Sequence, residues 1–307
     1  ELWPALVKWH KWFARTQKGE LADSFRWRGR DANDRRLNAM TLSSGLDDYP
    51  RATTPSAAER HVDLHCWMAL FARLLARLGR RLGKGEEVVA AYTAQFDGLL
   101  ASLVALHWDE GKQAFCDHGV HSNEGSFTKR YVVKCATRDG ASQVEHDVDD
   151  PNRPACPSSF PRFLFPLGDG SGGLLTRDAF APSQRPRPQF VEHLGYVSLF
   201  PLMLKLLPPD SPQLLPLIEL LRDPTRLWSD YGIRSLSKSD LWYQRQNAPG
   251  DEPYWRGPIW VNLNYLALSG LHHYARTAPG AAGKRAAEVY SELRDNLVGN
   301  MLDQWEA

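Results

Sequence analysis

The sequence predicts an all-α protein built from helical hairpins. Apolar residues recur at helical spacing along most of the chain, and long polar or aromatic loops separate the helical stretches. Between about residues 116 and 189 this periodicity fades, and Pro, Gly, Ser and Asp accumulate. We therefore expect a loop-rich insertion there, with short strands over 131–135 and 163–167.

Two apolar stripes define the first helices. One lies between residues 2 and 13, and a longer one between 64 and 82 that Gly83 can end. Ser56 and Glu59 fit a capping box, so the second helix is expected to begin near Ser56. Further helices are predicted over 86–106, 190–207, 212–221, 259–274 and 281–303.

Composition narrows the functional classes. The 307 residues are 43% hydrophobic and 24% charged, as in globular proteins. The net charge of +1 gives no excess field for nucleic acid or an anionic membrane, so no nucleic-acid partner is predicted. No run of 18 apolar residues and no signal peptide is present, so this segment is not expected to span a membrane.

Neither a metal nor a cofactor is predicted. The four cysteines lack the paired spacing of a zinc site. His61 and His65 have the spacing of a helical zinc pair, but Val62 stands where the zincin pattern needs Glu. Cys135 and Cys156 flank a loop-like region and could form a disulfide in an oxidising compartment.

The strongest sign of chemistry is the segment 44–52, Ser-Gly-Leu-Asp-Asp-Tyr-Pro-Arg-Ala, which we call the acid loop. It carries Asp47, Asp48, Tyr49 and Arg51 between a glycine and a proline that interrupt regular structure. Loops commonly display functional groups, so we take these four residues as candidate site residues. A helix cap or a solvated turn is the alternative.

A second candidate cluster precedes the acid loop. It comprises Trp27, Arg28, Arg30 and Asp31. Arg and Asp can hydrogen-bond vicinal hydroxyls while Trp stacks on a sugar ring, so part of this run is expected to face a ligand. The alternative is a solvated basic turn, which would not need the interleaved Trp27.

On the second predicted helix, Glu59, Asp63 and Trp67 fall at i, i+4 and i+8. They would project from one face, so two acids above an aromatic make a candidate sugar-binding wall. The alternative is an exposed face with Arg60 and His61 as partners.

Near the carboxyl end, Tyr254, Trp255, Arg256 and Gly257 form a loop just before a predicted helix. A similar polar loop upstream ends at Asp240. Turn chemistry could explain either loop separately, but their combination with the acid loop favours a shared site.

Four motifs together resemble glycoside hydrolase family 63, the family of the processing α-glucosidases. They lie in the family's order at 44–52, 59–67, 195–201 and 254–264. The resemblance implies an (α/α) toroid. Residues 1–307 would be an incomplete part of that one catalytic domain, with 116–189 as an insertion within it.

The resemblance also implies a function. Members are mannosyl-oligosaccharide glucosidases that remove the terminal α-1,2-linked glucose from the triglucosylated N-glycan precursor, with inversion, in the lumen of the endoplasmic reticulum. Asp47 matches the general acid, and residues 59–67 match the segment described as the family's substrate-binding motif. Tyr254, Trp255 and Arg256 match residues lining the glucose subsite, to which we add Asp240 and Gly257.

An inverting glycosidase needs two carboxyl groups, roughly 6.5–9.5 Å apart, on opposite faces of the sugar. Because Asp47 and Asp48 are adjacent, their side chains diverge and do not form this pair. Asp47 is expected to be the acid, held protonated by partial burial and neighbouring negative charge, while Asp48 orients it or binds hydroxyls. The family's base is a Glu expected beyond Ala307.

Since the first residue is Glu1, the chain looks like an excised or processed piece. An amino-terminal β-sandwich, a membrane anchor and earlier toroid helices are expected in a full-length member. This fragment alone could be inactive. The alternatives are a noncatalytic glucan-binding or scaffold fragment, and a related toroid hydrolase with another α-glucoside substrate.

Overall fold

The computed structural model describes residues 2–34, 36–149, 153–164, 175–248 and 250–306. Helices make up 42% of the structure and strands 18%, so the expectation of an all-α protein is wrong and the class is mixed α/β. The helices are α1 (Leu2–Thr16), α2 (Val62–Arg81), α3 (Glu86–His107), α4 (Tyr196–Met203), α5 (Leu214–Arg222), α6 (Val261–Thr277) and α7 (Gly280–Glu306).

The strands account for the error, because most of them lie in the stretch expected to be mainly loop. They are β1 (Trp108–Asp109), β2 (Ala114–Phe115), β3 (Asp117–His121), β4 (Gly125–Ala136), β5 (Gln143–Val148), β6 (Arg162–Leu164), β7 (Leu175–Pro182), β8 (Arg187–Val191), β9 (Trp228–Ser229) and β10 (Gly232–Ile233).

Polar residues at buried positions explain why apolar periodicity does not predict these strands. In β3 the buried positions are Asp117, Gly119 and His121, so the strand alternates without an apolar stripe. Of the two strands that the sequence predicted, 131–135 lies within β4. The other coincides with β6 as far as Leu164, and the remainder of 163–167 lies outside the described residues.

β4 is the centre of an antiparallel sheet. Its first part pairs with β7, from Gly125 opposite Pro182 to Val132 opposite Leu175. Its second part pairs with β5 on one side and β6 on the other. β3 and β8 form a separate antiparallel pair, and β3 contacts α3.

Cys135 on β4 is joined to Cys156 by a disulfide, as the sequence allowed. The bond closes a segment with a sequence separation of 21 residues.

The helices pack as consecutive neighbours around an apolar core. α2 packs on α3 and α6 on α7, while α4 contacts α2, α5 and α6. Every residue of α4 is buried. The helices predicted over 86–106, 212–221, 259–274 and 281–303 are present within a few residues of the expected bounds.

Two predicted helix starts are wrong. α2 begins at Val62 instead of near Ser56, because Arg60 pairs with His118 through N–O contacts of 2.8 and 3.0 Å that keep the chain extended. The stretch expected to be helical from residue 190 becomes helix only at Tyr196. Its first residues belong to β8.

By length and composition alone, α3 could cross a membrane: its mean hydropathy reaches 1.4, and 11% of that window is buried. This criterion is weak evidence, since core helices of water-soluble proteins also meet it. α3 packs on α2, and buries Leu99, Leu103 and His107. That this segment does not span a membrane stays a prediction.

Candidate active site

The acid loop is folded by local hydrogen bonds. Gly45 takes the left-handed conformation with φ 72°, which a residue with a side chain adopts at a cost. The Ser44 hydroxyl accepts from the N–H of Leu46 at 3.0 Å, and the Thr41 N–H donates to the carbonyl of Asp47 at 3.0 Å. These contacts fix the backbone beside both aspartates.

Asp47 and Asp48 lie in different environments. Asp47 is half-buried, and within the described part of the chain its side chain makes no hydrogen bond. Asp48 is 2% exposed, and its Oδ1 accepts from the backbone N–H of Trp255 at 2.8 Å. Burial raises the pKa of Asp48, against the opposing effect of Arg256. Asp48 Oδ2 is buried without a partner among the described residues.

Arg256 connects the acid loop to the loop that precedes α6. Its Nε donates to the carbonyl of Asp48 at 2.7 Å, and its Nη2 to Asn247 Oδ1 at 2.7 Å. Burial lowers the pKa of Arg256 to about 10. The side chain is completely buried, so its contacts hold loops together.

Aromatic rings stand next to this junction. The rings of Trp255 and Trp260 stack with centroids 4.5 Å apart and an angle of 19°. Trp260 Nε1 donates to the carbonyl of Tyr254 at 2.7 Å, and Tyr254 is 54% exposed. An open cleft of about 660 Å³ borders Tyr254 and Trp260, within the size range of small-molecule sites.

Gly257 serves the loop's close packing. Its φ is +137°, and a Cβ there would lie 2.7 Å from the ring of Tyr243. Its N–H donates to Ser235 Oγ at 2.9 Å. These contacts give Gly257 a structural reason to be glycine.

Asp240 is held by a histidine that sequence reasoning missed. Its Oδ2 lies 2.9 Å from His193 Nδ1, and its Oδ1 accepts from the N–H of Trp242 at 2.8 Å. The carbonyl of His193 accepts from the Tyr49 hydroxyl at 2.7 Å. Tyr49 is 1% exposed, so it acts as a buried support of the acid loop. His193 lies just before the 195–201 motif, and only that proximity could have indicated it.

Several predicted site residues form buried ion pairs instead of a sugar-facing surface. Arg51 contacts Asp63 at 2.7 Å and Asp117 at 2.8 Å, and Arg30 pairs with Glu59. The carboxylates of Asp63 and Asp117 raise the pKa of Arg51 although burial opposes them. Burial lowers the pKa of Arg30 to about 9.

The remaining predicted residues lie elsewhere. Arg28 donates to the carbonyls of Thr16 and Lys18 at 3.0 and 2.8 Å. Asp31 caps a local turn through the N–H of Asn33 at 2.9 Å. Glu59 precedes α2, so Glu59, Asp63 and Trp67 do not share a helical face as expected. Trp67 and Trp27 line an apolar groove of about 400 Å³ between α1 and α2.

No group of three or more histidine, cysteine, aspartate or glutamate side chains that could hold a metal occurs in the part of the chain described above.

Comparison with protein families identifies the family of this chain. Residues 1–166 and 171–307 match the model described as glycosyl hydrolase family 63 C-terminal domain. The chain belongs to glycosyl hydrolase family 63. The resemblance drawn from the four sequence motifs is thereby confirmed.

The chain is similar in sequence to two curated members of this kind. The chain is 36% identical over 302 residues to the mannosyl-oligosaccharide glucosidase GCS1 of Arabidopsis thaliana, covering 97% of this chain and 31% of that protein. It is 36% identical over 317 residues to the probable mannosyl-oligosaccharide glucosidase of Schizosaccharomyces pombe, covering 99% of this chain and 30% of the relative. The chain thus spans about a third of the length of these family 63 relatives.

A solved sialidase structure shares the fold of this family 63 chain. The TM-score is 0.57 with 12% sequence identity, covering 97% of this chain and 20% of the sialidase chain. At this identity the likeness concerns the fold alone.

Proposed function

We propose that this chain is the acid-bearing part of an inverting α-glucosidase that removes a terminal α-1,2-linked glucose from an N-glycan precursor. The observation that supports it most is the junction of two loops, in which Asp48 accepts the N–H of Trp255 at 2.8 Å. This contact brings a pair of carboxyl groups beside a stacked aromatic pair, the combination that a glycosidase uses for protonation and sugar stacking.

In this proposal Asp47 is the general acid. It is the half-buried carboxyl of the pair and makes no side-chain hydrogen bond within the described residues, so its oxygens are free to contact a leaving oxygen. Asp48 is already engaged with Trp255 and lies against Arg256. Asp48 therefore orients the loop, while Asp47 protonates the glycosidic oxygen as the C1–O bond breaks.

The aromatic residues supply the sugar-facing surface. Trp255 and Trp260 present a stacked pair, and Tyr254 stands exposed at the edge of the cleft. Such faces pack against the C–H side of a pyranose ring. The relatives' printed names, mannosyl-oligosaccharide glucosidase, support a glucose-capped oligosaccharide as the substrate.

The base, the compartment and the membrane connection belong to the same proposal. The family resemblance assigns the base to a Glu beyond Ala307, and an anchor to the full-length protein. The disulfide between Cys135 and Cys156 supports an oxidising lumen such as that of the endoplasmic reticulum.

The test is the configuration of the first glucose released. The complete gene product is incubated with an α-1,2-linked glucose disaccharide, and proton NMR follows the anomeric signals before mutarotation. Inversion predicts β-glucose first. Release of α-glucose first would reject the inverting mechanism, and absence of hydrolysis with retained iminosugar binding would favour a glucan-binding module.

A further inference from the structure

Charged residues of the 59–67 motif and of the acid loop form one buried cluster. Its centre is the guanidinium of Arg51, with side-chain exposure of 0%. Nη1 and Nη2 reach Asp63 Oδ1 and Oδ2 at 3.1 and 2.7 Å, and Nη1 also reaches Asp117 Oδ2 at 2.8 Å. Arg51 is thus bound by two carboxylates on two different elements, α2 and β3.

Both carboxylates are held in turn. Asp63 Oδ2 accepts from the Trp27 indole N–H at 3.0 Å. Asp117 Oδ1 accepts from the backbone N–H of Val62, the first residue of α2, at 2.8 Å. Because their oxygens are engaged from several directions, the two carboxylates form a rigid receptor for Arg51.

A second ion pair, Arg30 with Glu59, binds the end of the acid loop. Arg30 Nη2 donates to the carbonyl of Ala52 at 2.7 Å, and its Nη1 pairs with Glu59. Asn38 exchanges hydrogen bonds with the backbone of Arg51, at 3.2 and 3.3 Å. The acid loop is therefore fixed at residues 51 and 52, and again at Asp48 by the Trp255 N–H.

Burial separates this cluster from any sugar. The side chains of Arg30, Glu59, Arg51 and Asp63 are at most 1% exposed, and that of Asp117 is 5% exposed. A carboxylate that is sealed from solvent and already occupied by guanidinium donors cannot also accept from a sugar hydroxyl. Residues that bind substrate would need at least one open polar atom in the cleft.

We propose that Arg51, Asp63 and Asp117 are positioning residues, which set the placement of the Asp47 carboxyl and do not touch the substrate. This inference rests on the proposed role of Asp47 as the acid. It assigns Asp63 of the 59–67 motif to the placement of the acid instead of sugar recognition, and it adds Asp117, which lies outside every sequence motif.

The leaving group distinguishes positioning from the other roles. An ordinary glucoside needs a proton from the acid when its C1–O bond breaks. In α-glucosyl fluoride the C–F bond breaks without protonation, fluoride leaves with the electron pair, and the attacking water gives its proton to the base. A misplaced acid therefore slows the first substrate and spares the second.

The experiment measures kcat and KM of the complete gene product on an α-1,2-linked glucose disaccharide and on α-glucosyl fluoride. We expect Asp63→Asn and Asp117→Asn to lower kcat on the disaccharide by about 10²-fold, because small displacements of a reacting group cost this much. On the fluoride kcat should stay within about threefold, with KM nearly unchanged on both substrates. Glu219→Gln, in a surface ion pair with Arg285, is the matched control and should change neither substrate.

Two results would overturn the inference. A rise in KM with unchanged kcat would show sugar binding, and equal losses on both substrates in folded variants would show a general structural role. If both variants fail to fold by circular dichroism, Trp27→Phe decides, since it removes one hydrogen bond to Asp63 and keeps a ring in place. It should give a smaller loss confined to the disaccharide, and equal losses on both substrates would again reject the inference.

Failure of the proposed function looks different. If Asp47→Asn hydrolyses the disaccharide at the wild-type rate, Asp47 is not the acid. If Asp47→Asn loses the disaccharide and keeps the fluoride while Asp63→Asn and Asp117→Asn do not, only the positioning claim falls.

Discussion

Asp48 and Trp255 are joined by a hydrogen bond of 2.8 Å across 207 residues of sequence. The carboxylate accepts from a backbone N–H, so the contact fixes the main chain of residues 254–257, which we call the aromatic loop. Arg256, the next residue, forms a second hydrogen bond between the two loops by donating to the carbonyl of Asp48 at 2.7 Å. Two hydrogen bonds therefore join the acid loop to the aromatic loop.

Removing the Asp48 acceptor should destabilise the protein. Asp48→Ala leaves the N–H of Trp255 without its partner, which costs about 1–3 kcal/mol for a buried group. Asp48→Asn keeps an acceptor oxygen at the same place and should cost less. Urea unfolding measures both, and wild-type stability of Asp48→Ala would show that the contact contributes nothing.

Trp255 should contribute directly to sugar affinity. Trp255→Ala removes one ring of the stacked pair, and we expect the Kd of a glucose-mimicking iminosugar to rise by about tenfold or more. Calorimetry on the complete gene product measures it. Trp305→Ala is the matched control, since Trp305 is 88% exposed on α7. An unchanged Kd for Trp255→Ala would place the sugar elsewhere.

The acid loop could be predicted from its own residues. A glycine at φ 72° and a proline bound it, and both residue types are recognisable in the sequence. The aromatic loop ahead of α6 was predictable in the same way, because Gly257 and the proline after it break regular structure. Both loops could be predicted because glycine and proline within a short segment determine its turns.

The partners of the charged residues could not be predicted. Asp63 is expected from the sequence in a sugar-binding wall, yet it pairs with Arg51 and is buried. The second carboxylate that binds Arg51 is Asp117. It lies on β3, whose buried positions are polar or glycine, and apolar periodicity does not detect such strands. Long-range pairing of this kind depends on tertiary packing, which also set the start of α2 at Val62.

Buried histidines should make stability depend on pH. Burial lowers the pKa of His65 to about 4 and that of His121 to about 3. In the unfolded chain both histidines bind a proton below about pH 6.5, while in the folded chain they stay neutral. The free energy of unfolding is therefore retained above about pH 6.5 and falls toward about pH 4. At pH 5 each such histidine should cost about 2 kcal/mol relative to pH 7.

A variant isolates this effect. His65→Gln preserves a donor for the Leu99 carbonyl, which lies 2.8 Å from His65 Nε2. It should lose less stability than the wild type between pH 7 and pH 5 in urea unfolding. Parallel curves for the two proteins would mean that His65 titrates normally in the folded state.

The Cys135–Cys156 disulfide should stabilise the sheet around β4. Closing a loop with a separation of 21 residues is worth about 3 kcal/mol in the chain-entropy model. The double variant Cys135→Ser and Cys156→Ser should unfold at a lower urea concentration than the wild type. Dithiothreitol should lower the urea midpoint of the wild type and leave that of the double variant unchanged. Both remaining cysteines, Cys66 and Cys116, are buried free thiols. Equal midpoints with and without reductant would contradict the expectation.

The role of Asp47 is tested most directly by the rate of Asp47→Asn on an α-1,2-linked glucose disaccharide, measured on the complete gene product beside Asp48→Asn. Loss of the general acid should lower kcat by about 10²–10⁴-fold, and Asp48→Asn, which keeps the acid and an acceptor for Trp255, should lose less. Hydrolysis by Asp47→Asn within about threefold of the wild-type rate would contradict the assignment of Asp47 as the proton donor.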